Sequence, residues 1–202
     1  MKKFRLLPAV MILAASLFIA CDPEENGENE DKNTVDTKSM TIDASGFSDW
    51  KYFSFETGKE VSAADVGDYE SSKFKMNWDI AFHRGDIRTN SGASGNGKGG
   101  ALKGNGAKLA DIITIPTEGY AVDEEAEIMI EMSADGYRTQ SKNTVLATWY
   151  SSEGMPPVYV VNDYVYVVKT ADGKYAKVKF TDYTDDAGAG GHISFSYQYP
   201  VK

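Results

Sequence analysis

The sequence predicts an all-β fold made mainly of antiparallel strands. From Met40 onward apolar and polar residues alternate, which is the period of a strand with one buried face. No segment keeps the 3.6-residue period of a helix for three turns. The chain has 19 glycines and 12 tyrosines, a composition that suits strands and turns better than helices. Its 202 residues, 42% of them hydrophobic, are enough for one sizeable core, and we expect a single domain over residues 38–202.

The expected elements follow from this alternation and from the turn residues between the segments. Residues 60–66 predict a single helical turn, and Asp172-Gly173 is a strong hairpin signal. Residues 158–169 are dense in valine and tyrosine, which predicts one long strand buried on both faces. The strand pattern occupies, in chain order, residues 41–44, 50–56, 74–84, 86–90, 112–115, 126–132, 158–169, 175–183 and 193–199.

The central strand has the most distinctive pattern. Trp78, Ile80 and Phe82 should face one side of it, and the intervening residues, including His83, should face the other. The strand leads into a glycine-rich stretch, residues 90–100, with almost no apolar side chain. Such a stretch predicts a loop whose backbone is free to adopt positive φ.

The glycine-rich stretch matches nucleotide-binding patterns only in part. Gly95, Gly97 and Gly100 fit G-x-G-x-x-G, and most of a P-loop is present, but Gly99 replaces its Ser or Thr. Both patterns require a helix after the loop, because phosphate binds at the helix N-terminus. The residues that follow do not start a helix cleanly. We therefore expect these glycines to let the backbone pack tightly in a turn.

Three parts of the chain together resemble a known family. Residues 78–101 contain Trp-Asp-x-Ala-x-His-Arg, then Asp-x-Arg-x-Asn, then Ser-Gly-x-Gly-Lys-Gly-Gly-Ala. Residues 41–55 contain TIDASGF and WKYFSF, and residues 176–202 contain AKVKFTDY and SYQYPVK. This combination resembles the HmuY family of bacterial haem-binding lipoproteins over nearly all of the chain beyond residue 38. The resemblance implies an all-β HmuY-like domain that binds haem, iron protoporphyrin IX.

The front of the chain has the composition of an exported, anchored protein. Basic residues precede a short apolar run, which predicts a secretory signal peptide over residues 1–20. Cys21, the single cysteine, follows directly, and we expect it to be lipidated as in bacterial lipoproteins. Residues 21–37 are acidic and lack aromatic residues, so they are predicted to form a disordered tether.

The charge of the chain limits its partners. The net charge is −9, so the basic footprint of a nucleic-acid-binding protein is missing. So acidic a body should not adhere to anionic lipid, and the acyl anchor is expected to hold it at the outer membrane. The acidic stretch after Cys21 resembles the surface-export signal of Bacteroidetes lipoproteins, which implies exposure at the cell surface.

Catalytic and zinc chemistry have little support. The chain has two histidines, His83 and His192, and the domain has neither a cysteine nor a G-x-S-x-G sequence. Two histidines far apart in sequence lack the usual ligand set of zinc. The family resemblance implies that His83 belongs to the framework, so we interpret it as a core or surface histidine rather than a ligand. We interpret His192 as an exposed residue on the polar face of the last strand. An enzyme is not expected.

The resemblance directs the search for haem ligands to two loops. Some family members hold the iron through two histidines and others through two methionines. One ligand position lies near the turn after the strand 126–132, where some members have Asp-Gly-His; here the turn reads Asp135-Gly136-Tyr137. The other ligand lies in a loop that corresponds to residues 149–157, which contains Met155 rather than histidine. Histidine ligation is therefore not expected.

Met155 is the best single ligand candidate, because a thioether is a soft donor that favours iron(II) over iron(III). The alternative is a loop methionine that covers the core. For the second ligand, Met132 and Tyr137 compete: tyrosine would prefer ferric iron, and Met132 is chemically the better match to Met155.

Other residues of the same region are candidates for contacts with the porphyrin. Trp149, Tyr150 and Tyr159 are candidates for stacking on the ring or flanking it; the alternative is that aromatic residues so close to a strand belong to the core. Arg138 and Lys142 are candidates for pairing with the propionates.

These observations predict a surface-anchored haemophore, which captures haem and passes it to a TonB-dependent outer-membrane receptor. The alternative function is that of a HmuY-like scaffold that has lost haem. Such a protein would act in adhesion or glycan binding, with Trp149, Tyr150 and neighbouring tyrosines as a stacking platform.

Overall fold

The computed structural model describes residues 35–202. The helices of this part are single turns: α1 (Ala63–Val66), α2 (Tyr69–Ser72) and 3-10 turns at Gly92–Ser94, Leu109–Asp111 and Leu146–Thr148. The strands are β1 (Thr37–Asp43), β2 (Lys51–Ser54), β3 (Lys59–Val61), β4 (Ile80–His83), β5 (Asp86–Thr89), β6 (Gly100–Lys103), β7 (Glu124–Met129), β8 (Tyr137–Lys142), β9 (Tyr150–Glu153), β10 (Val158–Val161), β11 (Tyr166–Lys169), β12 (Tyr175–Thr184) and β13 (Gly190–Val201). The predicted signal peptide, Cys21 and residues 21–34 of the predicted tether lie outside the described residues.

Two antiparallel sheets form the body of the domain. The five-stranded sheet has the order β1-β13-β12-β11-β6, and the four-stranded sheet has the order β3-β2-β4-β5. The remaining strands pair as two separate hairpins, β7–β8 and β9–β10. Every one of these pairings is antiparallel, so the predicted all-β class is confirmed.

The main core lies between the two sheets and is largely aromatic. Phe53 of β2 and Phe82 of β4 meet Phe195 of β13, with ring centroids 5.4 and 5.5 Å apart. Along β12, Val178 and Phe180 are buried, whereas Lys177 and Lys179, which alternate with them, are partly exposed, as the period of two requires. Each of these large side chains contributes roughly 1.5–3 kcal/mol through burial alone.

A second cluster surrounds a fully buried cation, Arg88. Its guanidinium carbon lies 4.5 Å from the ring centroids of Trp50 and Tyr69, and it donates hydrogen bonds to Ser72 (3.0 Å) and to the hydroxyl of Tyr52. Loss of hydration lowers the pKa of Arg88 below its ordinary value. The aromatic faces offset part of this cost through cation–π attraction.

Several predicted strands are shorter in the structure. The central strand is regular only over Ile80–His83, and both of its faces are buried, because Ala81 packs with Trp78 in the second cluster while Ile80 and Phe82 enter the main core. The predicted half-exposed face is therefore wrong.

Residues 112–115 form no strand. Ile112 and Ile115 are buried in a small cluster with Leu109, while Ile113 points to solvent. The segment packs through side chains without a strand partner, which local sequence alone does not reveal.

The predicted long strand over residues 158–169 is two strands. β10 pairs with β9 in a hairpin, whereas β11 joins the core sheet between β12 and β6. The strand pairing is interrupted at Asn162. Its backbone N–H donates to Trp149 O (2.9 Å), and its side chain donates to Thr148 O (2.7 Å). The expected double-sided burial holds for β11 and is wrong for β10.

The glycine-rich stretch wraps around one buried side chain, Asn90. Its amide donates to Lys75 O (2.8 Å) and Trp78 O (3.0 Å) and accepts from Gly97 N–H (3.1 Å). A Cβ added at Gly95 would lie 2.1 Å from the Asn90 side-chain oxygen. The prediction that these glycines serve tight packing is confirmed.

Candidate functional site

The two hairpins outside the main sheets carry every predicted ligand. Met132 and Tyr137 lie at the end of the β7–β8 hairpin, and Met155 lies in the turn of the β9–β10 hairpin. The structure thus brings the first two together on one hairpin and places the third on the other.

Met155 has no packing role. Glu153 pairs with Val158, which closes a turn over residues 154–157, and Gly154 adopts the positive φ (78°) that this turn requires. The Met155 side chain is 94% exposed. The alternative interpretation, a methionine that covers the core, is therefore wrong.

Met132 and Tyr137 are also solvent-facing. The strand expected to run to residue 132 ends at Met129, because the N–H of Ile130 donates to Gly136 O (2.8 Å) and turns the chain back. Met132 lies within this turn and is 77% exposed, and Tyr137, the first residue of β8, is 46% exposed. Both second-ligand candidates are accessible to a cofactor.

The β9–β10 hairpin has one anchored face and one free face. Tyr150 and Tyr159 both contact Tyr183 of β12, with ring centroids 4.6 Å apart in each pair. Val158 and Val160 alternate with Tyr159 and are more than half exposed. The free face therefore presents these two valines next to Met155, together with their exposed cross-strand partners Ser151 and Glu153.

The sequence reasoning missed this exposed valine surface. It interpreted the valine and tyrosine residues of 158–169 as one strand buried on both faces. The polar pair Asn162-Asp163 in the middle of that run was the available sign of a break.

Trp149 is a core residue. It is fully buried, its ring centroid lies 4.9 Å from that of Phe180, and its indole N–H donates to Gly85 O (2.9 Å). The core alternative is therefore confirmed for Trp149, and its candidacy for stacking on a porphyrin or for a glycan platform is wrong. Tyr150 and Tyr159 are half-buried.

The candidate propionate partners differ in availability. Lys142 is paired with Asp86 (Nζ to Oδ1, 2.7 Å). Arg138 is exposed, and its guanidinium donates to the backbone oxygens of Asp135 (2.8 Å) and Tyr137 (2.7 Å). Arg138 thus lies at the hairpin end that carries Tyr137, whereas Lys142 lies at its base.

Neither histidine belongs to the two hairpins, because His83 lies on β4 and His192 on β13. His83 is buried and donates from Nε2 to Phe47 O (2.6 Å), which confirms its interpretation as a framework residue. His192 is half-buried, with Nε2 3.4 Å from the carboxylate of Asp43, so it is less exposed than expected.

Buried ionisable groups lie at the bases of the hairpins. Burial raises the pKa of Tyr150 and of Tyr183, so both phenols remain neutral at physiological pH. Burial also raises the pKa of Asp123 to about 6, although that carboxyl accepts hydrogen bonds from Thr89, Ser94 and Asn143. Asp123 lies directly before β7 and ties the start of that hairpin to β5.

The donor set at the hairpin ends fits a soft iron centre. Thioether sulfur prefers iron(II), and the two methionine side chains are mostly exposed to solvent. Met155 together with Met132 or Tyr137 would hold the iron of a haem, and the exposed valines of β10 would cover part of its ring. A bound haem would supply an iron that accepts such donors.

Within residues 35–202, the helices are all too short to cross a lipid bilayer.

Comparison with known proteins identifies close structural relatives. Apo PinO from Porphyromonas gingivitis is 27% identical and superposes with a TM-score of 0.69 over 84% of this chain and 100% of its own. An apo HmuY analog from Tannerella forsythia is 29% identical, with a TM-score of 0.66 over 86% and 100%. A crystal structure from Bacteroides vulgatus, described as a candidate HmuY-like heme binding protein, is 29% identical, with a TM-score of 0.66 over 82% and 93%. A search of curated proteins finds no match to this chain.

The family assignment rests on the sequence as well as on the fold. The family model for HmuY protein matches residues 47–197. This range contains both hairpins and all strands of the two sheets apart from β1 and the end of β13. The solved relatives share the same fold over more than four fifths of the chain. This chain belongs to the HmuY family.

Proposed function

We propose that this protein binds haem at the ends of the β7–β8 and β9–β10 hairpins, with Met155 as one axial ligand. Met132 is the proposed second ligand, and Tyr137 is the competing one. The haem is not converted to another compound, so the protein acts by binding and release. The family assignment and the description of the Bacteroides vulgatus relative as heme-binding support this function.

The observation that carries the proposal is the exposure of Met155. Exposing a methionine side chain forgoes the roughly 1.5–3 kcal/mol that burial would provide. At 94% exposure, Met155 does not contribute to the core, and its position in a tight hairpin turn presents the sulfur to solvent. Ligation gives this position a chemical role that packing does not.

Release also has a basis in the structure. The β9–β10 hairpin pairs only with itself and packs on the core through its tyrosine face. Segments with few buried contacts open locally at a lower free energy than the core. The hairpin can therefore move away from bound haem while the two sheets remain folded.

Spectroscopic titration tests the proposal. Purified protein is titrated with haemin, first oxidised and then reduced with dithionite, and the Soret band is followed. We expect a sharp Soret shift in the reduced state that is lost in Met155→Ala. Met76→Ala is the matched control, because Met76 is also exposed but lies outside both hairpins. A featureless spectrum in both oxidation states would refute haem binding.

We further propose that the protein is a lipoprotein anchored through Cys21 at the outer-membrane surface, and that it passes haem to a TonB-dependent receptor. The single cysteine behind an apolar N-terminal run supports the anchor. Cys21→Ala should release the protein from the membrane fraction and abolish incorporation of labelled fatty acid. Retention of both properties in Cys21→Ala would refute the anchor.

A further inference from the structure

The β4–β5 turn, residues 83–86, contacts both hairpins that carry the proposed ligands. Asp86 pairs with Lys142 at the end of β8 (2.7 Å). The carbonyl of Gly85 accepts from the Trp149 indole (2.9 Å) directly before β9, and Tyr150 packs on Gly85 itself. One short turn thus contacts the base of each hairpin.

Gly85 is required by a contact rather than by its backbone conformation. Its φ does not lie in the left-handed region, so an alanine would be tolerated by the backbone. A Cβ added at Gly85 would, however, lie 2.0 Å from the hydroxyl oxygen of Tyr150 and 2.4 Å from the ring carbon that bears it. Only a glycine lets the Tyr150 ring come this close.

Tyr150 cannot easily move away from an added methyl group. Its ring stacks on Tyr183 with centroids 4.6 Å apart and an interplanar angle of 18°, and it contacts the ring of Trp149 at 4.7 Å. A methyl group at residue 85 would therefore displace the ring from this stack. Because Tyr150 is the first residue of β9, the hairpin would move with it.

The turn itself is rigidly held. Arg84 adopts a backbone φ of 48°, which residues other than glycine rarely adopt. Its N–H donates to Ala44 O (2.9 Å), its guanidinium donates to Ser45 O (2.6 Å), and the guanidinium lies 4.3 Å from the ring centroid of Phe47. These contacts fix the turn to the segment after β1, so it can serve as a reference point for both hairpins.

We propose that the β4–β5 turn positions the two hairpins for haem binding, and that Gly85 is the positioning residue for the Met155 hairpin. This inference rests on the proposed function. It assigns the His-Arg-Gly-Asp sequence at residues 83–86 a role beyond that of a strand connection.

The test compares Gly85→Ala with Gly46→Ala in the full protein. Gly46 is the matched control, because an added Cβ there meets nothing within 4 Å and its φ is not left-handed. For Gly85→Ala we expect haemin binding about tenfold weaker, which corresponds to roughly 1.4 kcal/mol. We also expect amide exchange in β9 and β10 about tenfold faster without haemin, while β12 and β13 keep their wild-type rates.

A double mutant separates positioning from general destabilisation. Tyr150→Ala removes the ring that the new methyl group would meet. Adding Gly85→Ala to Tyr150→Ala should therefore change haemin affinity and exchange by less than about twofold, because the coupling between contacting residues is lost. An equally large effect of Gly85→Ala in both backgrounds would refute the assignment.

The remaining outcomes are also decisive. If Gly85→Ala behaves like Gly46→Ala in binding and exchange, the inference is wrong. If Gly85→Ala does not fold, Lys142→Gln tests the other contact of the turn, and we expect about threefold faster exchange in β7 and β8, as loss of one half-exposed ion pair implies. Unchanged exchange in Lys142→Gln then refutes the inference. If the wild type binds no haemin, the proposed function fails, and exchange alone still decides whether the turn positions the hairpins.

Discussion

Replacement of Asn90 by alanine tests whether the glycine-rich stretch is a structural loop. The Asn90 side chain is fully buried and makes three hydrogen bonds, to Lys75 O, Trp78 O and Gly97 N–H. Each net intramolecular hydrogen bond contributes about 0.5–1.5 kcal/mol, and a buried partner left unpaired costs about 1–3 kcal/mol. We therefore expect Asn90→Ala to lower the free energy of unfolding by about 3 kcal/mol.

Urea unfolding followed by tryptophan fluorescence measures this loss. With an m-value of about 2–3 kcal/mol/M, the midpoint should fall by about 1 M. The melting temperature should fall by about 6–12 °C, given the usual 2–4 °C per kcal/mol for a chain of this size. Asn105→Ala is the matched control, because Asn105 is exposed in the same region, and it should stay within about 0.5 kcal/mol of the wild type.

The reasoning is refuted if Asn90→Ala is no less stable than Asn105→Ala.

The same loop is also relevant to phosphate binding, because several of its backbone N–H groups already donate hydrogen bonds within the protein. The N–H groups of Gly97, Lys98 and Gly99 donate to Asn90 or to Ala171 O. They are therefore not available to bind phosphate, and added ATP should leave the melting temperature of the wild type unchanged.

Further predictions concern pH, the second ligand and the stability of the ligand variants. Because burial raises the pKa of Asp123 to about 6, the native state takes up a proton there before the unfolded chain does, and this group adds stability as the pH falls through 6. The free energy of unfolding of the wild type relative to Asp123→Asn should then rise by about 1.3 kcal/mol between pH 7 and pH 5, and an equal difference at both pH values would contradict the shift. Met132→Ala should abolish the six-coordinate spectrum of the reduced haem complex and Tyr137→Phe should preserve it; the opposite result would assign the ligand to Tyr137. The free energies of unfolding of Met155→Ala and Met132→Ala should lie within about 0.5 kcal/mol of the wild-type value, because both side chains are exposed. A larger loss in urea unfolding would show that these side chains pack against the protein.

The sequence was sufficient for the elements that local pattern determines. The alternation in residues 175–183 and 193–199 predicted β12 and β13, and Asp172-Gly173 predicted the turn before β12. Glycine-rich loop packing and the framework role of His83 were also predicted correctly. The strands, turns and glycine-rich loop depend on side-chain period and on the conformational preferences of glycine, which are local properties, whereas the framework role of His83 was implied by the family resemblance.

The sequence was not sufficient where the pairing between strands determines the structure. Residues 158–169 have one continuous apolar pattern, but the pairing of β10 with β9 and of β11 with β12 and β6 divides them. Burial of Trp149 likewise depends on Phe180 and Gly85, which are distant in sequence. Such contacts are long-range, and no periodicity within the segment encodes them.

The candidate site shows the same division. Its residues were predicted from a family resemblance, and the structure adds that Met155 is free of packing contacts. The role inferred for Gly85 has no local signal, because its φ is ordinary and its contact partner is Tyr150, more than 60 residues away in the chain.

X-ray absorption at the iron edge of the reduced haem complex tests the central claim most directly. If the thioether of Met155 binds the iron, the wild-type complex should show sulfur in the first coordination sphere, and Met155→Ala should lose the sulfur neighbour that Met155 supplies, which leaves at most the one from Met132. A wild-type complex with only nitrogen and oxygen neighbours would contradict methionine ligation.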